Sequence, residues 1–413
     1  MGVSIWEGGK AERVASALEA IAVANAKNID LTNMREVQEI VKAGKAPEFF
    51  SIGDQIDVEW KPDNASDTTY HIPFDVVAFL PATDAQGNIH EKAMWLQSHY
   101  ALLGVQFSGN NAFYVPTAEL PAGTYHFSIA NDWGSHCVAG KSYQFTLTQA
   151  VPAGGQLVLG TASSNTSGLP DTAPANWRVR TFTSGLQDTP TEIVALTEGT
   201  DGTDLGALSS STKYSESGIN NMQRAAYGYN RYSHSAIRQW LNSAGGKGEW
   251  WEQKNPFDHR PDQLATAQGF MAGLPSDFLS IIKPVKLVTA LNTVSDSEIG
   301  ASEETTDKFF LPSLEQEYIV PQANGEGAYW QYWKDRLGLS SPQIVGGNGA
   351  NAHHIRYAYE NHTSAQHVRL RSASRGSAYI AWIVTTSGNA SNYSYGYGSA
   401  AVAVRPAPAC VIY

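Results

Sequence analysis

The hydrophobic period changes twice along this chain, and each change limits the secondary structure that can follow. Residues 10–44 carry apolar side chains at helical spacing. From residue 49 to about 149 the period becomes two, which predicts strands. From residue 152 onward, strand patterns alternate with short helical patterns. This order predicts an α+β protein with N-terminal helices, an all-β region and a mixed C-terminal region.

Two helices are predicted at the N-terminus. The first places Val14, Leu18 and Ile21 on one stripe, and the second runs from an N-cap at Thr32 to Gly44, with Val37, Ile40 and Val41 apolar. Short Ala-rich amphipathic helices at a terminus pack against a partner, a symmetry mate or the next domain. We assign residues 1–47 to attachment or oligomerisation, with a helical lid on the next domain as the alternative.

Short strands punctuated by Pro, Gly, Asn and Asp turns fill the second region. The predicted strands are 51–60, 70–80, 112–115, 124–130 and 142–148. This spacing predicts a separate β-sandwich, immunoglobulin-like or jelly-roll-like, over residues 48–151.

The third region, 152–413, mixes strands with helix signals. Predicted strands are 179–182, 192–196, 368–370, 381–385 and 401–404. Ser233 is the predicted cap of a helix at 235–242, a second helix covers 277–282, and Ser313 and Gln316 have capping-box spacing.

Several motifs of the third region resemble, in order, a C-type-lectin-fold (DUF6273-like) domain of gut-bacterial and phage proteins. They are YGYNRY at 227–232, SAIRQWLNS at 235–243, GFMAGL at 269–274, FFLPS at 309–313, RLRSA at 369–373 and AVRPA at 403–407. The resemblance implies a C-type-lectin-like fold for residues 152–413. The chain departs from the pattern after Ala407, where Pro408 and Ala409 come before the cysteine.

Some members of that group are variable proteins of diversity-generating retroelements, whose binding residues lie between the Leu-Arg-Ser-Ala and Val-Arg-Pro-Ala motifs. By this resemblance the ligand-binding candidates are Tyr379, Trp382, Asn389, Ser391, Asn392, Tyr393, Tyr395 and Tyr397.

The composition of this segment favours binding independently of the resemblance. Residues 373–401 carry one charge, Arg375, and are rich in Tyr, Ser, Asn and Gly, which is typical of adaptable contact surfaces. On a strand, Tyr393, Tyr395 and Tyr397 would share one side and form a flat platform for a glycan or a protein epitope. The alternative is that these rings pack inward or against a subunit of a trimer.

Other classes of function are disfavoured. The net charge of -11, with scattered Lys and Arg, argues against a nucleic-acid partner. No apolar run is long enough to span a bilayer, and the first residues lack the pattern of a signal peptide. Neither Cys137 and Cys410 nor the histidines have metal-site spacing, and no catalytic arrangement stands out, so we expect no cofactor, no metal and no enzyme activity. The aromatic clusters at 250–251 and 329–333 fit core packing better than sugar stacking.

These inferences favour a structural adhesin of a phage virion, made in the host cytoplasm, as a fibre, spike or capsid decoration. It would bind a bacterial surface glycan or protein receptor through the C-terminal segment and other virion proteins through the N-terminal one, as a homo-oligomer such as a trimer. Two alternatives remain, a purely architectural virion protein and a bacterial surface adhesin of the same fold.

Overall fold

The computed structural model describes residues 33–63, 65–133, 137–161, 177–319, 325–342, 352–392 and 398–413. The predicted first helix lies outside these residues. In the described part, helices and strands are mixed and strands predominate, as the α+β prediction requires.

The described helices are short. They are α1 (Met34–Lys42), α2 (Ala46–Phe49), α3 (Met222–Tyr227), α4 (Ala236–Leu241), α5 (Ser276–Ile281) and α6 (Gln331–Leu337). Strands of the N-terminal half are β1 (Gln55–Trp60), β2 (Tyr70–Thr83), β3 (Ile89–Ser98), β4 (Val105–Gln106), β5 (Tyr114–Val115), β6 (Gly123–Ile129), β7 (Ser142–Leu147), β8 (Gln156–Thr161), β9 (Trp177–Phe182), β10 (Glu192–Ala195), β11 (Thr197–Glu198) and β12 (Thr203–Leu208). The remaining strands are β13 (Gly218–Ile219), β14 (Val285–Ala290), β15 (Ser302–Asp307), β16 (Phe309–Phe310), β17 (Arg356–Tyr357), β18 (Ala365–Gln366), β19 (Val368–Ala373), β20 (Ala381–Val384), β21 (Ala390–Ser391), β22 (Ala403–Pro406) and β23 (Ala409–Ile412).

Helix α1 confirms the second predicted N-terminal helix. Val37, Ile40 and Val41 are buried, and Gly44 follows the helix with a φ of 68°. A left-handed residue suits glycine, so the chain turns there at little cost. The cap differs from the prediction, because the side chain of Asn33 accepts a hydrogen bond from the Arg35 amide. This cap satisfies an amide that the helix leaves unpaired.

The central sheet joins strands that lie far apart in the sequence. Its strand order is β1-β2-β3-β23-β16, so the last strand lies between β3 and β16. β23 is fully buried and runs antiparallel to β3, with Ala409 opposite Gln97 and Ile412 opposite Met94. Helices α1, α4, α5 and α6 contribute to the large hydrophobic core on this sheet.

A second sheet carries the C-terminal segment. Its order is β21-β20-β19-β22-β4, in which β19 and β22 are parallel and β22 pairs with β4 on its other side. A small core that includes Leu370 and Trp382 lies beneath this sheet. We call the unit formed by the central sheet, the second sheet and two further strand pairs, β14 with β15 and β17 with β18, the main body.

A β-sandwich occupies the chain between β4 and α3. One sheet has the order β10-β9-β8-β5-β13 and the other β11-β7-β6-β12. They enclose a separate core to which Phe127, Phe145 and Trp177 belong, closed by Met222 of α3. The two inner layers of side chains give this unit its own hydrophobic interior.

The predicted boundary between residues 151 and 152 is therefore wrong as a division between sheets. β1–β3 pair with the C-terminal strand, whereas β5–β7 pair with strands that follow residue 152. Each predicted strand of residues 48–151 is present, but these strands belong to two different units. Local periodicity detects a strand, whereas its partner depends on contacts far away in sequence.

The helix signals of the third region are partly confirmed. The helix at 236–241 is capped by Ser235, whose side chain accepts from the Arg238 amide, and not by the predicted Ser233. The capping box forms: the Ser313 amide donates to Gln316 Oε1 at 3.0 Å and the Gln316 amide donates to Ser313 Oγ at 3.2 Å. It stabilises a turn instead of opening an α-helix.

His259 lies where the sandwich meets the main body, and its environment predicts acid sensitivity. Burial, followed by the charge of Arg260, lowers the pKa of His259 from 6.5 to about 4. The unfolded chain then binds this proton more readily than the folded chain, so the free energy of unfolding should decrease as the pH falls from 6.5 towards 4. We expect His259→Asn to flatten this decrease by about 1–3 kcal/mol in urea titrations at pH 7 and pH 4.5. Equal pH dependence in variant and wild type would contradict this assignment.

Candidate functional site

Two of the eight predicted binding residues are buried, which corrects their assignment as contact residues. Trp382 is 0% exposed and lies in the core beneath the second sheet. Tyr379 is 5% exposed. Side chains that water cannot reach cannot contact a ligand on the folded surface, so both support the surface from below. Tyr393, Tyr395 and Tyr397 lie outside the described residues.

The other three predicted residues lie at the surface around β21. Asn389, Ser391 and Asn392 are all half-buried. They follow a tight turn in which the Thr385 amide donates to the Asn389 carbonyl at 2.8 Å, and Gly388 adopts a φ of 83°. These three residues lie on a hairpin whose backbone is fixed by its own turn. The Asn389 Oδ1 atom is buried, and the Asn392 Nδ2 group donates to Ser374 Oγ at 3.4 Å.

A fully buried arginine holds the base of the segment that carries the predicted tyrosines. Arg369 Nη1 donates to the carbonyls of Ala381 and Gly398, both at 2.9 Å, and Nη2 donates to Ser399 at 2.8 Å and Val402 at 3.3 Å. Burial lowers the pKa of Arg369 to about 9, so the guanidinium is still charged at neutral pH. All four acceptors are backbone atoms, so the clamp does not depend on which side chains the segment displays.

Arg371, two residues further on, ties the same strand to the main body. Its Nη1 donates to the Leu311 carbonyl and to Gln316 Oε1, and its Nη2 contacts the Glu326 carbonyl. The carboxylate of Glu326 accepts from Ser372 Oγ at 2.6 Å and from the Ala290 amide at 3.0 Å. These buried bonds make β19 a rigid support for the hairpin above it.

Three aromatic rings connect this surface to the sandwich. Tyr227, at the end of α3, stacks on Tyr379 with ring centroids 4.8 Å apart, and Trp133 of the sandwich meets Tyr227 edge-on at 5.3 Å. Tyr227 and Trp133 are half-buried and so keep part of their surface in solvent. Aromatic rings with one polar end are common at binding surfaces.

The backbone of Tyr227 anchors the end of the C-terminal segment. Its carbonyl accepts from Ser399 Oγ at 3.0 Å and from the Ala401 amide at 2.9 Å. Gly228 allows this approach, because a Cβ there would lie 3.0 Å from the Ala401 nitrogen. We define the C-terminal face as Trp133, Tyr227, Asn389, Ser391 and Asn392.

Trp133 was not among the binding residues predicted from the sequence, and Tyr227 was identified only as part of the YGYNRY motif at 227–232. Both residues lie far from the C-terminal segment in the sequence. The composition of the 373–401 segment indicated that it displays polar side chains, but it could not separate Trp382 from the outward residues. The one sequence signal that Trp382 is buried is its position in an apolar strand, because large apolar side chains in such a strand are mostly buried.

The other aromatic clusters pack in the core. Trp250, Trp330 and Trp333 are at most 4% exposed, and Trp251 is 8% exposed. Tyr329 is the exposed member, at 42%. These values favour core packing over sugar stacking for all but Tyr329.

Residues 208–411 match the sequence model of a family described as Domain of unknown function (DUF6273). This match supports the DUF6273-like part of the resemblance. It begins at the last residue of β12 and ends within β23, so it omits β1–β4, which complete both sheets of the main body. No curated protein and no solved structure matches the chain.

The described residues contain neither a membrane-spanning helix nor a metal-binding cluster. None of the helices there is both long and apolar enough to cross a membrane. No group of three or more His, Cys, Asp or Glu side chains in that part of the chain is arranged to hold a metal ion. Cys410 is completely buried, and burial raises the pKa of its thiol.

Proposed function

We propose that this protein is a structural adhesin of a phage virion that binds a bacterial surface receptor through its C-terminal face. One observation carries the proposal: a polar hairpin and two partly exposed aromatic rings lie on a scaffold that holds the segment by its backbone. Arg369 contributes four such bonds, all to carbonyl oxygens. A surface built this way can present side chains for recognition without using them for folding.

We further infer a C-type-lectin-like architecture for the main body. The Arg-Leu-Arg-Ser-Ala motif lies on β19 and the Val-Arg-Pro motif lies on β22, and these strands are hydrogen-bonded neighbours. In the resembled family these motifs bracket the binding segment. Their adjacency supports placing the binding residues between them, although a shared fold by itself does not fix a function.

The adhesin assignment also gives the other parts of the chain a role. The N-terminal segment, residues 1–47, would attach the protein to the particle or to its own copies. Several copies on one virion would raise the effective concentration of weak sites, so that each copy needs only modest affinity. The receptor would be a glycan or a protein epitope on the host surface.

Replacing Tyr393, Tyr395 and Tyr397 together with Ala tests the proposal. We expect particles that assemble normally but adsorb to host cells at least about tenfold more slowly, because truncating aromatic contact residues removes much of the binding energy. The measurement is the adsorption rate of purified particles, with particle integrity checked by electron microscopy.

A matched triple variant controls for the loss of tyrosines in general. Tyr214, Tyr329 and Tyr357 are exposed in other parts of the molecule, and their replacement with Ala should leave adsorption unchanged. Normal adsorption by the Tyr393, Tyr395 and Tyr397 variant would refute the adhesin proposal. Failure of that variant alone to assemble would indicate an architectural role instead.

A further inference from the structure

A cleft at the seam between the sandwich and the main body has no role in the C-terminal face. It encloses about 380 Å³ and is lined by residues of the sandwich, of the segment before β5 and of the 259–262 loop. We call it the junction cleft and define it by Asn110, Gln187, His259, Arg260 and Asp262. Its volume lies at the small end of the roughly 300–1,000 Å³ range of ligand pockets.

Polar groups that lack partners converge on this cleft. Within the described residues, the carboxylate of Asp262 and the Oδ1 atom of Asn110 accept no hydrogen bond. Gln187 uses its Oε1 atom for the Thr183 amide at 2.5 Å, while its Nε2 group has no acceptor in the same part of the chain. Two acceptors and one donor therefore remain available to a ligand.

His259 adds a third acceptor. Gln156 Nε2 donates to the carbonyls of Pro256 and Asp258, so its Oε1 atom is directed to His259 Nδ1 at 3.1 Å. An oxygen acceptor at that distance places the ring proton on Nδ1. Nε2 then carries a lone pair, and no described residue donates to it.

The charges of the cleft nearly cancel. Its lining includes two arginines and two aspartates, and Arg260 forms an ion pair with Asp188 at the mouth. A cleft without excess charge has no preference for an anion or a cation. Its lining also includes Phe182, Pro190 and Pro261, of which Pro190 is half-buried while Phe182 and Pro261 are buried.

We propose that the junction cleft binds a neutral saccharide unit. Each hydroxyl of a sugar both donates and accepts, so neighbouring donors and acceptors of the protein can bind adjacent hydroxyls together. The half-buried ring of Pro190 suits the C–H surface of a sugar ring. An apolar or charged ligand would leave these polar groups without partners, at a cost in affinity.

The cleft lies beside the C-terminal face. Asn110 Nδ2 donates to the Ala226 carbonyl at 3.2 Å, and Gln106, also in the lining, donates to the Ala401 carbonyl at 2.7 Å. Ala226 and Ala401 flank the backbone bonds of Tyr227 described above. The cleft is nevertheless a separate site, and its proposal does not depend on host attachment.

The test uses the full chain and two sets of soluble probes. Maltotriose and N-acetylglucosamine trimer are the neutral probes, and galacturonic acid trimer is the anionic one, with binding measured by calorimetry and saturation-transfer NMR. We expect a neutral probe to bind more tightly than the anionic probe. Asp262→Asn should weaken that binding about tenfold or more, because it removes a charged acceptor.

A second variant and a control separate the sugar site from a folding defect. Gln187→Glu keeps the Oε1 acceptor of the 183–184 turn but removes the free donor, and should also weaken binding. Glu304→Gln makes the same carboxylate-to-amide change at an exposed position of β15 and should have no effect. The Tyr393, Tyr395 and Tyr397 variant should retain sugar binding, which distinguishes failure of this proposal from failure of the adhesin proposal.

Three results would overturn the inference. They are binding of the anionic probe alone, no binding of any probe, and binding that is the same in wild type, Asp262→Asn and Gln187→Glu.

Discussion

A fragment comprising residues 208–413 is expected to be unfolded, although it contains the whole DUF6273 match. The missing residues supply β1–β4, and β3 and β4 are the direct partners of β23 and β22. Without β3, a completely buried strand would expose one row of backbone groups and its apolar side chains to water. Unpaired buried backbone groups cost free energy, and loss of β1–β4 removes a large share of the core on the central sheet, including Phe74, Met94 and Leu96.

Circular dichroism and thermal melting of purified fragments measure this effect. The matched control is residues 33–413, which retains every described strand and should unfold in one cooperative transition close to that of the full chain. We expect the 208–413 fragment to show no cooperative transition and to aggregate. A cooperative melt of this fragment would show that the matched region folds without β1–β4.

The same strands mark the limit of sequence-based prediction of this fold. Alternating apolar residues located β1, β2, β6, β7 and β9 nearly correctly, because burial of one side of a strand leaves a period of two. The pairing of β23 with β3 joins residues about three hundred positions apart, and no local pattern encodes it. The division at residue 151 was wrong for this reason.

The candidate site shows a similar limit. The polar, low-charge composition of the segment correctly predicted that Asn389, Ser391 and Asn392 lie at the surface. Composition describes a segment as a whole and does not separate its individual residues. Whether one aromatic residue points outward depends on the sheet beneath it, and Trp382 points into a core formed partly by Leu314 and Ile319. Trp133 was missed because tertiary packing alone brings the sandwich to Tyr227.

Arg369, the central residue of the scaffold beneath the C-terminal face, could not be recognised as such from the sequence. In the sequence, Arg369 was identified only as the first arginine of a motif. Its neighbours Val368 and Leu370 do not predict which carbonyl groups accept its hydrogen bonds. Its importance follows from complete burial and from four backbone acceptors that come from two separate stretches of chain.

Arg369→Met should lower the free energy of unfolding by about 3 kcal/mol or more. Methionine has a similar length but donates no hydrogen bonds, so the carbonyls of Ala381, Gly398, Ser399 and Val402 would lose a shared donor inside the protein. Each buried carbonyl left without a partner costs roughly 1–3 kcal/mol, partly offset by removing a buried charge. Urea unfolding monitored by tryptophan fluorescence gives the change in stability.

Hydrogen exchange distinguishes loss of this clamp from general destabilisation. The Ala381, Ala400 and Val402 amides are hydrogen-bonded at the base of the segment, and in Arg369→Met they should exchange faster even in conditions where the central sheet stays protected. Arg375→Met is the matched control, since the Arg375 side chain makes no hydrogen bond within the described residues, and its stability should change by less than about 0.5 kcal/mol. Equal stability of Arg369→Met and wild type would mean that water satisfies the four carbonyls, and the backbone clamp would then not be what holds the C-terminal face in place.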